Sequence, residues 1–232
     1  MNKRTHKPNS VKNKSFISVG HPLKENVQKQ IKCITFDFGG VITEGDIIEE
    51  VLGKYSMLYF KDVRKFWKEA HDSEHWSNYF KGKITEAEFW ARSKQDFGNP
   101  DFDEIYFGDL VRDVSSGINP KMMSLVSRLK SMGYKTAILT NNGREWFEPF
   151  KPLLKEFDPI ITSYELRVKK PDEIIYQIML EEADVKAEEC VFIDDFACNT
   201  EAAQKLGIHT ITFKTFEQAK TELEGLLDKK LE

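Results

Sequence analysis

The chain has 232 residues, 40% of them hydrophobic and 31% charged, with a formal net charge of −4. That size and composition suit a globular protein with a real core, built as one domain with a sizeable insert or as two small ones. The acidic balance excludes a general affinity for nucleic acid, which needs a basic surface to neutralise phosphates.

Residues 1–29 read as a disordered basic tail. Lys3, Arg4, Lys7, Lys12, Lys14, Lys24 and Lys29 face only Glu25, with Pro, Asn and Ser between them and no apolar periodicity. The scarcity of acidic residues also fits an organelle-targeting peptide, although the segment is rich in Lys and not in Arg.

The first ordered run is Ile31-Lys32-Cys33-Ile34-Thr35-Phe36, a buried strand that delivers Asp37 to the turn Phe38-Gly39-Gly40-Val41-Ile42. Two glycines let such a turn fold sharply and aim backbone N–H groups into one small volume. A carboxylate at a strand end beside those donors suits an anion held against a nucleophile, and strand ends are where open α/β sheets place their ligands.

From Glu44 to about Asn119 the period changes. Ile47, Ile48, Val51 and Leu52, then Val63, Phe66, Trp67 and Ala70, then Phe89, Trp90 and Phe97 recur at helical spacing. Thr85 with Glu88 three residues on is a helix start of the capping-box type. The segment 45–117 therefore reads as a helical insert that hangs over the Asp37 loop, with Trp67, Trp76 and Trp90 as its core.

Beyond Pro120 helix and strand patterns alternate. Helices are predicted over 121–131, 144–157 (disturbed by Pro149 and Pro152), 172–182, 199–206 and 216–227, and strands over 134–139, 159–164, 190–193 and 209–213. This is an α/β pattern: a Rossmann-like parallel sheet with helices on both faces. Residues 30–44 and 118–232 would form that core. Its strands deliver Thr140-Asn141-Asn142 and Asp194-Asp195 to the edge that carries Asp37, and Val168-Lys169-Lys170-Pro171-Asp172 falls between them.

Four motifs in this order resemble those of the haloacid dehalogenase-like hydrolase superfamily, most closely its phosphatases with a helical cap after the first strand. Phe36-Asp37-Phe38-Gly39-Gly40-Val41-Ile42 is similar to the first, Leu139-Thr140-Asn141 to the second, Lys170-Pro171 to the third, and Phe192-Ile193-Asp194-Asp195 with Asn199 to the fourth. The resemblance spans about residues 31–215. It departs at Gly39, where the usual first motif carries a second aspartate that acts as general acid and base.

The resemblance implies that Asp37 attacks phosphorus and forms an aspartyl-phosphate. It implies that Thr140 and Lys170, with backbone N–H groups around Phe38, Gly40 and Asn141, receive the phosphoryl oxygens. Asp37, Asp195 and the Gly39 carbonyl would hold Mg²⁺, with Asp194 and Asn199 behind them. The expected substrate is a small phosphorylated metabolite, such as a sugar phosphate. A phospho-ligand binding or regulatory protein that lost turnover is the alternative, and dehalogenation a weaker one because it needs no metal.

His71-Asp72-Ser73-Glu74-His75 matches an H-x-x-E-H zinc pattern, but nothing marks a third ligand, and solvated helix surface or insert residues lining the entrance are better readings. Cys33, Cys190 and Cys198 are odd in number and not in CxxC spacing, which fits a reducing compartment. No stretch reaches the roughly 18 apolar residues of a membrane span, and the start of the chain leads into no secretory apolar core. A cytoplasmic protein without membrane or nucleic-acid partners is expected.

Overall fold

The computed structural model describes residues 30–44, 73–97, 103, 105, 106, 109 and 117–231. The basic tail, the periodic positions from Ile47 to Ala70, and His71 lie outside the described residues.

Five parallel strands form the sheet: β1 (Cys33–Phe36), β2 (Lys135–Thr140), β3 (Ile160–Thr162), β4 (Cys190–Asp194) and β5 (His209–Thr212), in the order β3-β2-β1-β4-β5. β1 is central and pairs Phe36 with Ile138 on one side and with Ile193 on the other. The order reverses at β1, so the carboxyl ends of β1, β2 and β4 open onto one crevice, the switch point where such sheets bind ligands.

Both faces of the sheet are covered. Side chains alternate along each strand, so Ile34, Phe36, Ile138, Val191, Ile193 and Ile211 face one layer. There they meet Met122, Leu125, Val126 and Leu129 of α3 (Pro120–Ser131) and Leu223 and Leu227 of α8 (Phe216–Leu227). Cys33, Ala137, Leu139, Cys190 and Phe192 face the other layer, with Ile175, Tyr176 and Met179 of α6 (Glu173–Glu182) and Ala203 of α7 (Ala197–Lys205). Strands buried on both sides explain the near-continuous apolar runs in the sequence.

The structure departs from the predicted elements in two places. The helix expected over 144–157 is four residues of α-helix, α4 (Arg144–Phe147), followed by a 3₁₀ segment over Glu148–Leu153. Pro149 and Pro152 lack the N–H groups that an α-ladder needs. The strand expected over 159–164 stops at Thr162, and the chain turns into the short helix α5 (Ser163–Leu166). Thr162 Oγ1 donates to Glu165 Oε2 at 2.8 Å, which favours the turn over further extension.

The chain leaves and re-enters the core at neighbouring points. Thr43 bridges Ile118 in antiparallel fashion, Glu44 N–H donates to Gly117 O at 2.6 Å, and Asn119 N–H to Ile42 O at 2.8 Å. Between these points lie α1 (Glu74–Phe80) and α2 (Glu86–Phe97). The predicted cap at the start of α2 is present: Thr85 N–H donates to Glu88 Oε2 (2.8 Å) and Glu88 N–H to Thr85 Oγ1 (3.2 Å). Trp76, Tyr79, Phe89 and Trp90 are buried and meet Trp146 of α4 at ring separations of 4.9–6.2 Å. For Trp76 and Trp90 this is the expected interior role; Trp67 lies outside the described residues.

Candidate active site

Lys170 is the hub of the crevice. Its side chain is 1% exposed, and Nζ donates to Asp37 Oδ1 at 2.9 Å, to Asp194 Oδ2 at 2.6 Å and to Leu139 O at 2.9 Å. An ammonium has three donors, and all three are used. Three separate strand ends therefore converge on one cation.

Asp37 follows β1, and its own N–H extends the ladder to Ile193 O at 2.8 Å. Its Oδ1 accepts from both Phe38 N–H (2.6 Å) and Lys170 Nζ (2.9 Å), so both contacts fall on one carboxylate oxygen. Burial pushes the Asp37 carboxyl well above the usual carboxylate range; Lys170 opposes this, while Asp194 and Asp195 push it further up. Burial also works against the Lys170 ammonium, but Asp194 and Asp37 outweigh it and hold its pKa above the ordinary lysine value.

The loop after Asp37 is built around a residue that the sequence reading passed over. Thr43 is buried, and its Oγ1 accepts from Gly40 N–H at 3.0 Å. Gly40 carries the left-handed backbone of the turn, with φ +69°, and a Cβ there would lie 2.7 Å from Asp195 Oδ2. Only glycine meets both demands. The N–H groups of Phe38 and Gly40, expected to face a phosphoryl group, are here engaged within the loop by Asp37 and Thr43.

Asn141 contributes more than the backbone donor assigned to it. Its side chain clamps the Lys170 main chain, accepting from Lys170 N–H and donating to Lys170 O, each at 2.8 Å. Thr140 ends β2 beside it and is 1% exposed. Asp194 is fully engaged: Oδ1 accepts from Phe196 N–H (2.8 Å) and Asn199 Nδ2 (2.9 Å), and Oδ2 from Lys170. Asn199 thus orients Asp194, and Tyr176, another residue not foreseen, donates its hydroxyl to Asn199 O at 2.9 Å. The roles of Asn141, Asp194 and Tyr176 are hard to read in sequence, because their partners lie 23 to 29 positions away.

Asp37, Asp194 and Asp195 offer carboxylate oxygens within 4.8 Å of one another. The donor set suits a hard divalent cation, since oxygen ligands are what Mg²⁺ prefers and a cation among three carboxylates relieves their repulsion. Glu74 and His75 are not part of any metal-competent cluster among the described residues.

Residues 31–207 match the family described as haloacid dehalogenase-like hydrolase. The chain belongs to this family. A mouse relative, acyl-CoA dehydrogenase family member 10, is 34% identical over 86% of this chain but only 19% of its own length. The chain spans about a fifth of the length of that protein and of rat bifunctional epoxide hydrolase 2, which is 32% identical over 46% of this chain and 21% of itself. Sesquiterpene phosphatase astK of Aspergillus oryzae is 27% identical over 76% of this chain and 87% of its own. Among solved structures, a haloacid dehalogenase family enzyme from Bacteroides thetaiotaomicron, crystallised with magnesium and inorganic phosphate, has a TM-score of 0.70 at 23% identity. It covers 83% of this chain and 98% of its own. A predicted family member from Porphyromonas gingivalis has a TM-score of 0.69 at 23% identity, covering 87% and 100%.

As a haloacid dehalogenase-like hydrolase, the chain carries the parallel α/β fold expected from its sequence. No helix among the described residues is long and apolar enough to cross a membrane.

Proposed function

We propose that this hydrolase is a Mg²⁺-dependent phosphatase that cleaves a small phosphorylated metabolite, such as a sugar phosphate, through an aspartyl-phosphate on Asp37. The observation that carries this reading is the Lys170 hub, which ties Asp37 Oδ1 and Asp194 Oδ2 to one ammonium at 2.9 and 2.6 Å. Held by Oδ1, Asp37 presents Oδ2 for in-line attack on phosphorus, and water then hydrolyses the acyl phosphate. Thr140 and Lys170 face the transferring oxygens, where positive charge and a hydroxyl stabilise the transition state. Asp37, Asp195 and the Gly39 carbonyl would hold Mg²⁺, which when bound supplies charge neutralisation for the incoming phosphoryl group. Asn199, through Asp194, keeps the Lys170 side chain in place.

Support also comes from a relative named as a phosphatase that this chain matches over most of both lengths, and from a fold neighbour crystallised with magnesium and inorganic phosphate. Residues 45–117 act as a cap that encloses the substrate, since the chain leaves and rejoins the core beside the Asp37 loop.

A second reading has one specific observation behind it. Gly39 stands where the resembling enzymes carry a general acid–base aspartate, so a phospho-ligand binding protein with weak turnover is the competing function. General acid–base help is typically worth about 10²–10⁴-fold, which leaves room for hydrolysis of esters with good leaving groups. A hydrolysis panel of aryl phosphate, sugar phosphates, nucleotides and phosphorylated acids, with Mg²⁺ and with chelator, decides between them. Mg²⁺-dependent turnover of at least one ester supports the phosphatase. Tight binding without turnover of any supports the second reading.

A further inference from the structure

The segment around the end of α1 is seated against the corner that follows β2 and against the start of α5, at closely fitted points. A Cβ built at Gly143 would overlap the Tyr79 ring, and one at Gly82 would lie 2.5 Å from Tyr164 O. The third point is Ser163, which is fully buried. Its hydroxyl accepts from Asn142 N–H at 3.2 Å and donates to Phe80 O at 2.6 Å. One side chain thus bridges the last residue of an insert helix and the loop carrying Thr140 and Asn141.

We propose that Ser163 is a positioning residue that fixes the Thr140–Asn142 corner against the helical insert and so sets the corner's affinity for a phosphoryl group. The proposal rests on the phosphatase reading for the identity of the ligand, but its geometry is independent of it. The hydroxyl is needed in both directions. A half-buried amide at 142 and a half-buried carbonyl at 80 would each lose the partner that this fully buried hydroxyl supplies, and the corner would be free to shift. Asn141 follows any such shift directly, because its side chain clamps the Lys170 main chain on both sides. Ser163 touches neither the attacking carboxylate nor the metal-competent cluster, so its effect is on where the phosphate-binding groups sit.

The test compares wild type with Ser163→Ala and Ser163→Thr in the full chain, using an aryl phosphate as substrate and inorganic phosphate with Mg²⁺ as competitor. In Ser163→Ala, KM and the phosphate inhibition constant should rise together by about tenfold, with kcat changed less. Ser163→Thr keeps the hydroxyl and should stay within about threefold of wild type. The amide exchange of Asn142, read by NMR, follows the geometry whether or not the chain turns over any ester. It should be slow in wild type and Ser163→Thr and at least about tenfold faster in Ser163→Ala. Should Ser163→Ala fail to fold, Ser163→Cys keeps the shape with a weaker donor and acceptor and carries the same measurements. Equal Asn142 exchange in all variants, or faster exchange with an unchanged phosphate constant, overturns the proposal. A wild type that neither hydrolyses the ester nor binds phosphate overturns the functional reading instead, and the exchange data still decide whether Ser163 holds the corner.

Discussion

Asn141 and Lys170 hold each other across two strand ends: Lys170 N–H donates to Asn141 Oδ1 and Asn141 Nδ2 donates to Lys170 O, each at 2.8 Å. The pair fixes the main chain beneath the ammonium that joins Asp37 to Asp194.

Removing that clamp tests whether position, and not merely charge, matters at Lys170. Asn141→Ala should lower kcat/KM on an aryl phosphate by about 10- to 100-fold, because a displacement of an ångström at a reacting group has that order of effect. The ammonium stays, so some activity should survive. Steady-state kinetics with a circular dichroism control checks this, and kcat/KM within twofold of wild type would remove Asn141 from the support of the site.

Asp37 should trade stability for chemistry. Its folded pKa is raised, first by burial and then by Asp194 and Asp195. A raised folded pKa means that its contribution to stability is fully present below the unfolded value of about 3.9 and is lost as pH rises through the folded pKa. Ionising this group at neutral pH therefore costs stability. Asp37→Asn should cut turnover at least about 10³-fold yet melt at a higher temperature than wild type at pH 7 in chelator, with the gap narrowing towards pH 4. A variant that melts below wild type at pH 7 would show that Lys170 needs Asp37 more than the carboxylate cluster suffers from it.

Much of this architecture was legible because it rests on local signals. The apolar runs of β1 and β4, the Pro120 and Thr85 helix starts, and the glycine turn after Asp37 are set by nearest neighbours, and they brought Asp37, Lys170, Asp194 and Asp195 to one edge as expected. What escaped depends on tertiary partners. Thr43 reads as an ordinary turn residue until its hydroxyl meets Gly40 N–H at 3.0 Å. Ser163 reads as strand until Phe80 approaches it, and Glu86 as a first-turn acid until two indoles reach it. The broken helix after Arg144 was half visible: Pro149 and Pro152 announced a disturbance, but not that the α-ladder would last only to Phe147.

Glu86 should pin the insert to the core. Its Oε1 accepts from Trp146 Nε1 at 2.8 Å and from Trp90 Nε1 at 3.3 Å. Glu86→Ala leaves two nearly buried indole donors to find other partners, at a cost of about 1–3 kcal/mol, or a melting point lower by a few degrees for each kcal/mol in a chain of this size. Glu86→Gln keeps the acceptor and should recover most of the loss. Thermal melts of the two variants check this, and equal stabilities would mean that the indoles pack and do not depend on the bond.

Gly39 and Gly40 should answer substitution in opposite ways. Gly40 has φ +69° and a Cβ there would press on Asp195 Oδ2 at 2.7 Å, whereas Gly39 is not among the left-handed glycines. Gly40→Ala should therefore strain the turn, displace Asp195 and raise the Mg²⁺ concentration needed for half-maximal turnover. Gly39→Asp meets no such conformational bar and places a carboxyl where the resembling enzymes carry their acid. With nothing at position 39 to protonate the departing oxygen, wild-type rates should depend steeply on leaving-group pKa, and activated aryl esters should be favoured. Gly39→Asp should flatten that dependence and raise turnover of alkyl phosphates by about 10-fold or more, within the 10²–10⁴-fold that such catalysis typically contributes. A leaving-group series on both proteins, after a melt to confirm folding, makes the comparison. A wild type indifferent to leaving group, with a folded Gly39→Asp protein slower on every ester, would show that another group already supplies the proton.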